Sequence, residues 1–181
     1  MRLALITLSL LLAGCAADSS FNDAMTPSAR VDKDSFDGKI VIRQDPVSAA
    51  SSLTEAWHSL GFDWTERTPD TVYVTAAVQG IAAITGLAFN IDGRVVDELQ
   101  TASAATDFEG ITGARISSRR FAMPYSDFNA LAQASSVKMR INFINNYTVS
   151  SFGRGQRALV NAKLDPFLAE VDRWRQKLGQ R

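Results

Sequence analysis

Val137–Phe152 reads VKMRINFINNYTVSSF. Val137, Met139, Ile141 and Phe143 alternate with Lys138, Arg140 and Asn142, which is the period-two pattern of a strand with one dry face and one wet face. Asn145-Asn146 supplies a two-residue turn, and Tyr147–Phe152 resumes as a β-rich stretch. Strands joined so tightly pair antiparallel, and the wet face argues against a parallel sheet covered on both sides. A second hairpin signal lies upstream. Asp92-Gly93 separates Phe89-Asn90-Ile91 from Arg94-Val95-Val96, and Asp-Gly accepts the positive φ angles of a type I′ turn. The fold these hairpins imply is α+β: a mainly antiparallel β-sheet with two to three helices packed on one face.

The flanking segments fill in that plan. Phe36–Ile42 reads as a turn into a short strand. Asp45-Pro46 has the composition of a helix start, Ala50, Leu53, Ala56, Trp57 and Leu60 fall on one helical stripe, and Gly61 is a natural stop. Phe62–Glu66 and Thr71–Val78 alternate as strands around the turn Thr68-Pro69-Asp70. Ile81–Ile91 continues the strands with a bulge or bend at Gly86. Leu99–Gly110 (LQTASAATDFEG) reads as a loop, and Arg115–Met123 as a strand stopped by Pro124. Ser126 is placed to cap a short helix bearing Tyr125, Phe128, Leu131 and Ala132. Asp165-Pro166 opens a last helix with Phe167, Val171, Trp174 and Leu178 on its apolar stripe, and Gly179 ends it.

The chain begins with Arg2, the apolar run Leu3–Leu12, and then Leu12-Ala13-Gly14-Cys15. One positive charge, a short apolar core and small residues before a cut site form a secretory signal peptide. The run is too short for a mature transmembrane helix, which needs ~20 apolar residues. Leu12-Ala13-Gly14-Cys15 resembles the lipobox of bacterial lipoproteins. That resemblance implies cleavage before Cys15, a diacylglyceryl thioether on its sulfur and an acylated amino terminus. Cys15 is the only cysteine in the chain, so no internal disulfide is available, and lipidation removes an otherwise unpaired exported thiol. Two or more acyl chains give stable anchoring, where one gives only marginal binding. The Ala16 that follows favours the outer membrane, facing the periplasm, under the sorting rule of enteric bacteria. The expected organisation is a cleaved signal peptide over 1–14, a lipidated Cys15 and tether over 15–34, and one globular domain over 35–181.

Composition excludes several functions. The chain carries 19 basic and 19 acidic residues, a balance that gives no electrostatic footprint for nucleic acid. His58 is the only histidine, and with Cys15 committed to lipid no zinc site built from His and Cys is expected. There is no Gly-x-Ser-x-Gly elbow, and Gly153-Arg154-Gly155 lacks the Lys-Ser/Thr ending of a phosphate loop and reads as a flexible turn. Asp63, Glu66 and Asp70 gather around one turn without the spacing of a calcium loop. No catalytic residue, metal or cofactor is assigned.

The polar group with most promise is basic. Arg115, Ser117 and Arg119 share one face of their strand, and Lys138, Arg140 and Asn142 share one face of theirs. If those strands are neighbours, Arg115, Arg119, Lys138 and Arg140 cluster and suit an anionic partner: a phosphate, a glycan carboxylate or an acidic protein surface. The same residues equally fit a solvated sheet face that discourages aggregation. Arg120 points to the opposite face. Trp57, Trp64 and Trp174 sit on apolar stripes as core residues, whereas Tyr147 suits an exposed contact.

Three functions follow in order of expectation. The first is a lipid-anchored periplasmic module that binds an envelope protein or polymer and is not an enzyme. The second is an inhibitor or immunity protein for a lytic enzyme, inserting Leu99–Gly110 or Asn145-Asn146 into a cleft. The third is a hydrolase using carboxylates or serine. The anchor has a direct check. Cys15→Ser is expected to block processing, so that precursor accumulates or the protein leaves the membrane fraction. A Cys15→Ser protein that fractionates and migrates like wild type overturns the lipobox.

Overall fold

A computed structural model of the chain describes residues 28–52, 58–97, 99–103, 106–111 and 114–180. The expected signal peptide, Cys15 and most of the expected tether lie outside the described residues, as do Leu53, Ala56 and Trp57. The described strands are β1 (Arg30–Lys33), β2 (Ile40–Ser48), β3 (His58–Thr65), β4 (Thr71–Gln79), β5 (Ile84–Ile91), β6 (Arg94–Val96), β7 (Gln100–Thr101), β8 (Asp107–Ile111), β9 (Ala114–Pro124), β10 (Val137–Phe143) and β11 (Tyr147–Phe152). The helices are α1 (Tyr125–Gln133) and α2 (Asn161–Gly179). The fold is α+β and mainly antiparallel, in two sheets. The larger has seven strands in the order β1-β2-β3-β4-β9, with β7 and β8 both on the far edge of β9. The smaller has four strands in the order β11-β10-β5-β6.

Alternation sets the core. On the larger sheet Leu60, Phe62 and Trp64 of β3 stand beside Ala76, Val74 and Val72 of β4, and these beside Arg119, Phe121 and Met123 of β9. On the smaller sheet Ile91, Phe89 and Leu87 of β5 lie opposite Val137, Met139 and Ile141 of β10. All of these apolar side chains are buried in one continuous core. The helices join it through Phe62, Phe128 and Phe167, whose rings meet edge-on or tilted at 5.0, 5.6 and 5.5 Å between centroids. Ring pairs in this geometry add ~0.5–1.5 kcal/mol each beyond their buried area.

Both expected hairpins form. At the first, Asp92 has φ 48° and Gly93 φ 93°, as a type I′ turn requires. The Asp92 carboxylate also accepts from the Ser135 and Ser136 backbone amides (3.2 and 2.8 Å), tying the turn to the exit of α1. At the second, Phe143 N donates to Asn146 O (2.8 Å), so the two-residue tip is Ile144-Asn145, one position earlier than expected. A bulge in β5 falls beside Gly86, where the pairing with β10 shifts between Asn142 and Phe143.

The expected helix from Asp45 to Leu60 is a correction. Asp45–Ser48 belongs to β2 and His58–Leu60 to β3, with Ser48 opposite Ser59. Between the pairs Gln44·Phe62 and Val47·Leu60, Asp45 and Pro46 face the single residue Gly61. That is a bulge, a place where a strand accommodates a proline that cannot donate. Gly61 is therefore not a helix stop. A Cβ there would meet the Pro46 ring and Gln44 O at 3.0 Å.

Smaller corrections follow the same logic. Within Leu99–Gly110, Gln100–Thr101 and Asp107–Gly110 are strand, because β7 and β8 use the free edge of β9, assisted by Ala102 N donating to Arg120 O (2.9 Å). α1 starts at Tyr125 with no side-chain cap from Ser126. α2 starts a turn before Asp165, and its Asn161 amide donates to Gly153 O and Gln156 O, both at 2.8 Å. Gly153 is buried with φ 134°, and a Cβ would meet Ser135 O at 2.6 Å, so this segment is a packed junction and not a flexible turn. β1 already pairs with β2 from Arg30, within the stretch read as tether.

The bulge gives a test of the corrected β2–β3 pairing. Gly61→Ala is expected to lower stability by about 1–3 kcal/mol through overpacking against Pro46, read as an earlier urea midpoint. An unchanged midpoint contradicts this close approach.

Candidate functional site

The chain passes between the two sheets three times, from β4 to β5, from β6 to β7 and from β9 through α1 to β10, and the first two crossings decide which polar residues are accessible. From β4 it passes to β5 through residues 80–83. Ser117 Oγ donates to Gly80 O (2.7 Å) and accepts from Ala82 N (2.9 Å), and Arg119 donates to Ile84 O (2.6 Å). Ser117 and Arg119 do share a face of β9, but it is the inner face, where they hold the crossing backbone. Across the same seam His58 Nε2 meets Thr148 Oγ1 at 2.8 Å. His58 lies on β3 and is 2% exposed, so the expected helical histidine is a buried inter-sheet contact.

The basic residues singled out from the sequence are thus dispersed. β9 and β10 belong to different sheets, so Arg115 and Arg119 do not share a face with Lys138 and Arg140. Arg115 is exposed near the start of β9 and Lys138 is exposed on the outer face of the smaller sheet. Arg140, on that same outer face, pairs with Asp97 at 2.9 Å. Arg120 points to the outer face of the larger sheet, stacks on the Tyr73 ring at 4.2 Å and reaches Asp63 at 3.4 Å. The loose acidic group disperses as well: Asp63 faces Arg43 and Arg120, Glu66 accepts from Ile40 N (2.8 Å), and Asp70 pairs with Arg175 at 3.0 Å.

The second crossing, from β6 to β7, forms one wall of a cleft of about 410 Å³. Val96, Asp97, Leu99 and Gln100 come from the crossing, Thr71 from β4, Ala122, Met123 and Pro124 from β9, Asp70 from the β3–β4 turn and Asp127 from α1. Its three carboxylates each meet an arginine: Asp70 with Arg175 (3.0 Å), Asp97 with Arg140 (2.9 Å) and Asp127 with Arg94 (2.9 Å). Arg175 is itself held by α2. It lies over the Tyr125 ring at 3.9 Å and donates to Pro69 O, which also accepts from Trp64 Nε1 (3.0 Å). Burial, reinforced by the hydrogen bond to Asp172, pushes the Tyr125 hydroxyl up to about 12, so it stays protonated as a donor to Asp172.

This lining has an apolar floor and a rim of paired charges. Exposed ion pairs contribute ~0–1 kcal/mol, so a partner carrying its own charges can exchange with them at little cost. Among the described residues no group of three or more His, Cys, Asp or Glu is placed to hold a metal. Of the residues at this cleft, the sequence singled out Asp70, Arg140 and, within the segment expected to insert, Leu99 and Gln100. Asp127, Arg94 and Arg175 come from separate elements and leave no local signature. Trp64 is fully buried, as its stripe implied, and Tyr147 is 64% exposed. No family model matches the chain, and no curated protein matches it.

Two carboxylates outside the cleft titrate with opposite sign. Burial pushes Asp63 above its ordinary range against the pull of Arg120 and Arg43. A side-chain hydrogen bond from Arg67 holds Asp37 below its ordinary range. A raised folded value favours the protonated form, so Asp63's contribution is complete at low pH and lost as pH rises through its titration. Asp37's contribution is present above its unfolded value and lost as pH falls. Between about pH 3 and pH 7, Asp63→Asn is expected to gain stability relative to wild type and Asp37→Asn to lose it. Urea midpoints at the two pH values read both slopes, and slopes of the same sign contradict the assignment.

Proposed function

We propose that this chain is a lipid-anchored protein of the bacterial envelope, held by Cys15 on the periplasmic face of the outer membrane. Its single α+β domain, released from a cleaved signal peptide and carrying both helices on one face of the larger sheet, acts as a binding module for an envelope protein or polymer. Leu12-Ala13-Gly14-Cys15, with no second cysteine in the chain, supports the address. The observation that carries the binding role is the cleft between β6, β7, β9 and α1, with three exchangeable Asp–Arg pairs around Val96, Leu99 and Met123. Charged rims around apolar floors suit steering and register, while the buried apolar contact supplies affinity.

An inhibitor or immunity role is the second reading. It draws on the Ile144-Asn145 tip, where Ile144 is 73% exposed beside the exposed Tyr147. The other segment expected to insert, Leu99–Gly110, is strand-paired to β9 at Gln100–Thr101 and Asp107–Gly110.

In-cell photo-crosslinking separates the two. A photoreactive residue at Gln100 is expected to give one discrete adduct that is lost when Asp97 and Asp127 are both reversed to lysine. Adducts that form from position 144 and survive the double reversal move the role to the hairpin tip. A silent Gln100 removes the cleft as the binding surface.

A further inference from the structure

Phe36 is 92% exposed, the most exposed of the large apolar side chains in the described residues. It sits at the turn joining β1 to β2, and that turn is braced. Asp34 N donates to Lys39 O (2.8 Å) and Gly38 N to Asp34 O (2.8 Å). Phe36 N donates to the Asp34 carboxylate (2.9 Å) and Lys39 N to the Asp37 carboxylate (3.0 Å). Arg67, from the neighbouring β3–β4 turn, then bridges both carboxylates at 3.0 and 2.9 Å. A loop free to rearrange would fold a phenyl ring against the protein. This one holds the ring out in water, where burying it elsewhere is strongly favourable.

We propose that the Phe36 tip is a second membrane contact, seating its ring at the headgroup–acyl boundary of the bilayer that holds the Cys15 anchor. The inference rests on the lipid-anchor reading and goes beyond it, because it fixes which end of the domain meets the membrane. Two observations favour a lipid surface over a protein partner. The first is reach. Fourteen residues lie between Cys15 and Arg30 at the start of β1, a contour of at most ~54 Å. β1 then carries the chain only ~10 Å farther to the turn, so the anchor permits tip-down contact and confines the tip to the neighbourhood of the bilayer. The second is charge. Arg67 together with Lys33 and Lys39 balances Asp32, Asp34 and Asp37, which would otherwise oppose an anionic surface. Lys33 and Lys39 flank the ring, exposed and placed for headgroup phosphates.

The test uses the full-length acylated protein in vesicles of phosphatidylethanolamine and phosphatidylglycerol. With Cys15 acylated, Ser35→Cys provides the single reactive thiol, and a nitroxide there reports immersion beside an intact Phe36. The expected result is a shift toward oxygen collisions and away from collisions with a water-soluble nickel chelate. Adding Phe36→Ser should abolish that shift. A probe at Val95→Cys, on the smaller sheet, should read as aqueous throughout. An acylated, vesicle-bound protein whose position-35 probe stays aqueous overturns the tip contact and leaves the anchor standing. Immersion at both positions, or persistence after Phe36→Ser, also overturns it. Transfer of the probe into a protein contact in native envelopes, with no lipid immersion, replaces the bilayer by a protein partner. A second labelled thiol at Cys15 shows that acylation itself has failed, and both readings fall together.

Discussion

The contact among Phe62, Phe128 and Phe167 is the constraint on which the arrangement depends. Phe62 lies in β3 at the middle of the larger sheet, Phe128 on α1 and Phe167 on α2. α1 follows β9 directly, and Tyr125 N donates to Asp70 O (2.8 Å), so the helix is aimed as soon as it starts. α2 is aimed from the other side, where Asn161 grips the Gly153–Gln156 segment and Arg154 N donates to Ala134 O (2.9 Å). Each helix is short or lacks a side-chain cap, and such helices gain most of their stability from packing. Removing the rings would leave two helices without a reason to lie where they do.

With the helices on one part of the larger sheet's inner face, β5, β10 and β11 contribute to the same core. Joining sheets in this way leaves polar backbone in the crossings, and buried backbone groups must be paired. Ser117 and Arg119 meet that need at residues 80–84, and Leu99 N donating to Leu87 O (3.3 Å) meets it at the return crossing. These two of the three crossings differ in outcome. The first is tied down by side chains of β9. The second leaves Asp97 and Gln100 on the wall of a cleft. Position in the chain topology, more than residue type, separates the arginine that braces a crossing, Arg119, from the arginine that pairs at the rim of the cleft, Arg140.

The strands and their wet faces were legible because alternation is local: Val137–Phe143 and the Asp92-Gly93 turn state their conformation within a few residues. Strand order was not. Nothing in Arg115–Arg119 or Lys138–Asn142 says that β9 and β10 belong to different sheets, and the basic patch depended on their being neighbours. The helix expected from Asp45 failed for a different reason. Asp-Pro is good chemistry for a helix start and also for a bulge, and only the opposing Gly61 decides between them. The cleft could not be read at all, since Asp70, Asp97 and Asp127 are brought together by a turn, a crossing and a helix. Leu12-Ala13-Gly14-Cys15 lies outside the described residues, so the fold has no bearing on that motif.

The two surfaces argued to be functional share one physical property. The Asp–Arg pairs at the cleft join side chains that all keep part of their surface in water, from 22% at Asp127 to 86% at Asp70, and the Arg67 bridge at the β1–β2 turn is partly exposed too. Pairs of this kind add little to the stability of a fold whose core is the buried rings and alternating strands. Charges that stability does not require are free to be set by what the surface meets. In the cleft they cancel in pairs that a partner can exchange. At the turn Arg67 offsets one of the two aspartate charges, and Lys33 and Lys39 stay exposed. Both surfaces lie toward the same end of the larger sheet, because the β3–β4 turn supplies Arg67 to one and Asp70 to the other. A single turn therefore helps to set the charge at both without altering the core beneath it.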